Sequence, residues 1–450
     1  MTRETTSSIV DRRRFLQGAL VAGGAAVAVP SILADEVAAA AAATSDTILV
    51  TVTLAGGNDG LNTIGPFTNS AYRQLRGSMA VSPNNAHVAD NGLYFHPQLR
   101  RLATRYRRGE VAVVQGVGEP LADRSHFLNL ARWQSAMPDS SVSRTGWLGR
   151  WLDQTPLGTF GALAVGGRGV PFHMVGTNAK VTDLPTYGNA LYGSDTSDAR
   201  DRVMYRAIRR MGVGAEQPWV ARVGEVNALA IDAAQAVAPA MTDDVSRDGL
   251  NGEMILAARL INLNLGTRVM NVGHNGYDTH DNQISGNAEQ GVHAELLGEL
   301  DQALDSFFST LTPANAQRVV VLVYSEFGRR VEPNGSAGTD HGTASKVFLI
   351  GRPVQGGIYG DAPPLGQLDN RGDLRITMDL RRVYATVLEN WLETPSSAVL
   401  GASYSSLNIL RQPPPPAPPE SSDLRDRAAR IRARREDNRL DYLRQHSPTF

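Results

Sequence analysis

Nine histidines are spread along the 450 residues, and three of them, His126, His280 and His341, lie beside acids or serine next to apolar runs. Five polar segments stand out. They are Gly56-Gly57-Asn58-Asp59-Gly60-Leu61-Asn62, Asp123-Arg124-Ser125-His126-Phe127, Gly276-Tyr277-Asp278-Thr279-His280-Asp281-Asn282, Ser325-Glu326-Phe327-Gly328-Arg329 and Gly338-Thr339-Asp340-His341-Gly342. Imidazoles and carboxylates without thiolates suit a divalent ion such as zinc or manganese. Asp278 and His280 are two apart, a spacing for a loop or extended segment rather than one helix face. Each residue alone has a plainer reading. A glycine-flanked Asp59 is a turn residue, Ser125 ahead of a helix is an N-cap, and a lone histidine is hydrogen-bonded structure. The joint pattern weighs against those readings, because capping does not require histidines beside acids near several strands.

The elements that must position these segments are strands and helices in alternation. Thr47–Leu54 is β-branched and ends in the Gly/Asn/Asp segment; Glu110–Val117, Arg268–Val272, Arg318–Tyr324 and Lys346–Ile350 are further apolar strands. His96–Arg108, Ser125–Ala136, Ala221–Ala236, Met254–Leu265 and Val292–Leu311 read as helices. The expected fold class is α/β with a mostly parallel sheet, where ligands bind beyond the carboxyl ends of strands. Four of the segments follow a strand and can converge there; the fifth must fold back as a loop. The stretch 176–248 lacks strong strands and reads as a mainly helical insertion.

Composition narrows the chemistry. The chain has no cysteine, which removes disulfides, thiolate zinc sites, iron–sulfur clusters and a cysteine nucleophile. A net charge of −1 argues against a dedicated nucleic-acid binder. Lys180 and Lys346 are the only lysines, so lysine chemistry has two places to occur. At the N-terminus, Asp11-Arg12-Arg13-Arg14-Phe15-Leu16-Gln17 and the small apolar run Gly18–Pro30 resemble a twin-arginine export signal. That run is too short and glycine-rich for a comfortable membrane span, and Ala38–Ala43 offers cleavage positions. The expected division is a signal over 1–43, one α/β domain over 44–411, a proline-rich linker over 412–422 and a charged helical tail over 423–450. That tail carries eight arginines against five acids. It reads as a solvated helix, with contact to an anionic envelope surface as the alternative.

Taken together, GGNDGLNT, SHFLNLARW, DTHDNQ, SEFGRR and GTDHG, in this order behind a twin-arginine signal, resemble the bacterial family called domain of unknown function 1501. The resemblance covers roughly Thr47 to Leu410. That family is similar to the alkaline-phosphatase and sulfatase superfamily, which implies an alkaline-phosphatase-like α/β/α sandwich around a metal-dependent site. Carried over, Asp59 matches a second-metal acid, Ser125 the nucleophile at a helix start, Asp278 and His280 the first-metal acid and histidine, and His341 the later first-metal histidine. The usual Asp-His pair falls on Glu326-Phe327, where Glu326 can ligate and Phe327 cannot. A competing alignment uses Asp340-His341 as that pair. The resemblance therefore implies one metal, two with changed ligands, or none.

The expected activity is an exported, metal-dependent hydrolase of phosphate or sulfate esters acting on a small-molecule or polymer substrate. Ser125 would attack, His126 or Arg124 would assist or bind the anion, Asn58 would also touch substrate, and Arg329 would clamp it. The expected partners are the substrate and the twin-arginine export machinery, without nucleic acid. The rival reading is a non-catalytic envelope scaffold that keeps the fold.

Overall fold

The structure is a computed structural model that describes residues 47–186, 199–211, 215–242 and 249–411. The expected export signal, the proline-rich linker, the charged tail and parts of 176–248 lie outside the described residues. Nine strands form the main sheet: β1 (Ile48–Ala55), β2 (Val111–Gly118), β3 (Ala162–Val165), β4 (Thr182–Leu184), β5 (Val269–Asn275), β6 (Val319–Tyr324), β7 (Ser345–Ile350), β8 (Gly357–Tyr359) and β9 (Met378–Asp379). Their order is β8-β2-β7-β6-β1-β5-β3-β4, with β9 also on β2. The pairings of β1 with β5 and β6, of β3 with β4 and β5, and of β2 with β8 and β9 are parallel. Only β7 is reversed, antiparallel to both β2 and β6.

Helices cover both faces, which is why the strands read as continuous apolar runs rather than as alternations. On β6, Val319, Val321 and Val323 enter one core with Met254, Leu260, Leu300 and Phe307 from α6 (Gly249–Asn262) and α7 (Val292–Thr310). Val320, Leu322 and Tyr324 enter the other, with Trp147, Trp151 and Tyr384 from α3 (Trp147–Gln154) and α8 (Leu380–Asn390). The remaining longer helices are α1 (Arg100–Arg107), α2 (His126–Ser135), α4 (Ala199–Arg210) and α5 (Pro218–Val237). The stretch 176–248 is not free of strand. Thr182–Leu184 pairs with β3 and forms the sheet edge, too short and too polar to announce itself.

Strand direction gathers the five polar segments. The carboxyl ends of β1, β2, β5 and β6 lie on one rim of the sheet. Because β7 runs the other way, its amino end lies on that rim too, and the segment holding His341 arrives there directly. Close approach then restricts the loops. Gly56 and Gly57 have φ of +121° and +78°. A Cβ at Gly56 would strike the backbone of Asp278, and one at Gly57 the ring of Phe327.

Candidate metal centre

The geometry centres on Asp278, on the loop after β5. Its Oδ1 lies 3.3 Å from His126 Nε2, 3.1 Å from His280 Nε2 and 3.1 Å from His341 Nε2. His280 Nε2 and His341 Nε2 are 2.8 Å apart. His126, Asp278 and His341 offer ligand atoms that all lie within 4.8 Å of one another.

Each ring is held from behind by an acceptor. His126 Nδ1 is 2.8 Å from Glu326 Oε1, His280 Nδ1 is 3.2 Å from Asp340 Oδ1, and His341 Nδ1 is 2.8 Å from the Arg124 carbonyl. A carbonyl and an ionised carboxylate can only accept, so each Nδ1 carries its proton. In the neutral rings every Nε2 then turns a lone pair into the cluster. This carboxylate- or carbonyl-backed imidazole is the usual arrangement of metal-bound histidine. His126 Nε2 is buried with no hydrogen-bond partner among the described residues. Three lone pairs facing one carboxylate oxygen repel unless a cation or added protons lie between them, so the residues fit a divalent ion with nitrogen and oxygen ligands.

The electrostatics agree. Burial alone would raise the Asp278 carboxyl, but the Arg329 guanidinium bonded to it and the His341 ring beside it pull it well below the usual carboxylate range. Burial also pushes Glu326 up, and the hydrogen bonds from His126 and the Gly56 amide more than reverse this. The hydrogen bond to Glu326 raises His126, whereas burial lowers His341. Phe327 forms a wall of the centre. Its buried ring sits 4.9 Å from the His126 ring and 4.8 Å from that of His341, filling the space behind both.

The structure thus brings Asp278, His280 and His341 together and adds His126, which the sequence suggested as an assisting residue rather than a ligand. The signal for it was present: a histidine at the first position of α2, at the end of β2. Other expectations need correction. Asp59 does not join the cluster, because Arg76 grips both its oxygens at 2.7 Å and Gln283 donates at 2.7 Å, all out of solvent. Asn58 is buried, bonded to Thr63 and His293. Glu326 stands behind His126 instead of facing the centre.

Arg329 is not a clamp. Its enclosed guanidinium donates to the carbonyls of Gly57, Thr339 and Tyr277 at 2.7, 2.8 and 2.9 Å, to that of Gly56, and to Asp278 Oδ1 at 2.7 Å. It ties its own loop to three of the other four. Arg124 has φ +70°, pairs its side chain with buried Asp373, and serves the site through its carbonyl. Ser125 is the N-cap of α2, its Oγ accepting from Leu128 N at 3.4 Å, half-buried beside His126.

Fold and site together define an α/β/α protein with a histidine–aspartate cluster on the carboxyl rim of its sheet. A family model described as protein of unknown function, DUF1501, matches residues 118–392, and the chain belongs to that family. No curated protein matches the chain. Three solved structures show distant similarity. The zinc complex of the C-terminal periplasmic domain of EcEptC from Escherichia coli is 10% identical, with 80% of this chain and 84% of that one covered and a TM-score of 0.38. An alkaline phosphatase superfamily protein from Vibrio parahaemolyticus is 11% identical, covering 84% and 78% at 0.37. The PsFucS1 sulfatase from Pseudoalteromonas sp. is 11% identical, covering 85% and 75% at 0.35. Likeness this distant carries no argument about activity, which rests on the site.

Proposed function

We propose that the protein is an exported hydrolase of phosphate or sulfate esters built on one divalent metal centre. The observation that supports this is the convergence on Asp278 of three Nε2 atoms whose rings each turn Nδ1 to an acceptor. A bound divalent ion would supply Lewis acidity toward a phosphoryl or sulfuryl oxygen. His126, Asp278 and His341 would hold it, with His280 beside His341 at its edge, and Glu326, Asp340 and the Arg124 carbonyl would orient the three rings. The centre takes one ion rather than two, because Asp59 and Glu326 have spent their oxygens on protein donors. Ser125 sits at the start of α2 beside His126, where helix-end amides favour an anion and its hydroxyl is the candidate nucleophile. Arg329 works through Asp278 by fixing the carboxylate.

Metal analysis of the purified protein, with unfolding followed under chelation, tests the reading. Expected are about one zinc or manganese per chain and a lowered Tm with chelator. No bound divalent metal together with an unchanged Tm would remove the mechanism. A screen of aryl phosphates, phosphodiesters and sulfates then separates roles. Activity lost in Ser125→Ala with metal retained supports a serine nucleophile, and activity kept in that variant moves attack to water. A scaffold that keeps the fold is the second reading. It is favoured by the enclosed Phe327 and by the positive charge that Arg329 already brings to Asp278. Metal binding without turnover on any ester class would put it first.

A further inference from the structure

Away from the rim, the pair of helices α4 and α5 carries half of the large apolar side chains exposed among the described residues. They are Val203, Met204, Met211, Trp219 and Val223, five of ten. The two helices pack on each other, with Tyr205 turned inward. At about 100° per residue, Val203, Met204, Ala207 and Met211 fall within about a quarter to a third of the α4 circumference. All four are exposed; exposed Arg206 and Arg210 border them on one side, and exposed Arg200 stands at the amino end of the stripe. The sequence of α4 holds five arginines and one aspartate, a net +4 over 12 residues. On α5, Trp219, 67% exposed, and Val223 are a further exposed apolar pair at a spacing of four. An outward apolar stripe with bordering arginines and an exposed tryptophan is the composition of a helix that lies in a bilayer interface.

Charge selects the occupant. A second copy would bring the same +4 helix against itself, and the chain's own tail over 423–450 is also basic, by three. Anionic headgroups complement the arginines of α4. No helix among the described residues is long and apolar enough to cross a membrane. We propose that the α4–α5 pair is a docking surface for an anionic phospholipid bilayer, with Val203, Met204, Met211 and Trp219 entering the headgroup boundary.

Tryptophan placement supplies the test. Trp133, Trp147, Trp151 and Trp391 are buried, and Trp219 is the one of the five that meets solvent. The full chain is mixed with vesicles of phosphatidylcholine alone or with added phosphatidylglycerol. Expected are co-sedimentation and a blue shift of emission with the anionic vesicles only, both reversed by salt. Trp219→Phe should abolish the shift while keeping most of the binding. The double variant Val203→Glu, Met211→Glu should weaken binding about tenfold or more at an unchanged Tm. Three results would overturn the proposal. One is vesicle binding without a Trp219 shift, which assigns binding to the tail. Another is a shift that grows with protein concentration in the absence of lipid, which assigns the face to a second copy. The last is equal binding to both vesicle types.

Discussion

Two acids sit in glycine-flanked loops at the ends of neighbouring strands, Asp59 after β1 and Asp278 after β5. Their surroundings are opposite. Asp59 receives two bonds from Arg76, one from Gln283 and one from the Asn62 amide, with no solvent contact. Its carboxyl is pushed up by burial and drawn down further by Arg76. Asp278 is half exposed and receives one guanidinium bond, and the three imidazoles around it have committed their Nδ1 protons elsewhere. One acid is saturated with donors; the other stands among lone pairs. The presence of an acid at a strand end therefore says little, and what its neighbours have left to give says much.

The largest expected effect falls on the saturated side. Arg76→Met strands a buried carboxylate and should cost about 3–5 kcal/mol in denaturant unfolding. A loss under about 1 kcal/mol would erase the distinction between the two acids. Next comes Glu326→Gln, which keeps shape but weakens the hold on His126. A fall of about 10–100-fold in metal affinity is expected by competition titration, with the fold intact. An unchanged affinity would mean that His126 is not a ligand.

Acid should reach the buried side through its histidines. Burial holds His173 and His293 down to about 3, against 6.5 in the unfolded chain. Between those values the unfolded chain binds more protons, so stability is complete above about pH 6.5 and falls as pH drops toward 3. The slope should reach about 1.4 kcal/mol per pH unit per histidine, and His293→Asn should flatten it by one histidine's share. The smallest effect belongs to the open acid. Asp278→Asn removes the charge facing the enclosed Arg329 guanidinium and should cost about 1–2 kcal/mol while abolishing metal binding, as metal-free unfolding and a binding titration would show.

Much of this was legible in the sequence. The strands Ile48–Ala55, Val319–Tyr324 and Ser345–Ile350 stand within a residue or two of their apolar runs, because strands buried on both faces leave a continuous hydrophobic trace. Asp278, His280 and His341 were legible as candidates from their types. The reversal of β7 was not, since direction depends on pairing and not on composition. Nor was the capture of Asp59 by Arg76, 17 residues on, where one arginine among many gives no sign of its partner. Arg329 misled for the same reason. A conspicuous cation beside a conspicuous acid looks like a substrate clamp until the backbone carbonyls around it are seen.

The central position of β1 bears on how the chain is made. Leu49 pairs with Val269 on one side and with Val320 on the other, 220 and 271 positions later. At ordinary synthesis rates of about 5–20 residues per second, the strand made first waits roughly 10–45 s for its first neighbour. Until then both of its edges are open to other chains. A nascent chain stopped before Val269 is therefore a hazard to its neighbours rather than a half-built domain, and the polar rim can exist only after nearly the whole sheet has been synthesised.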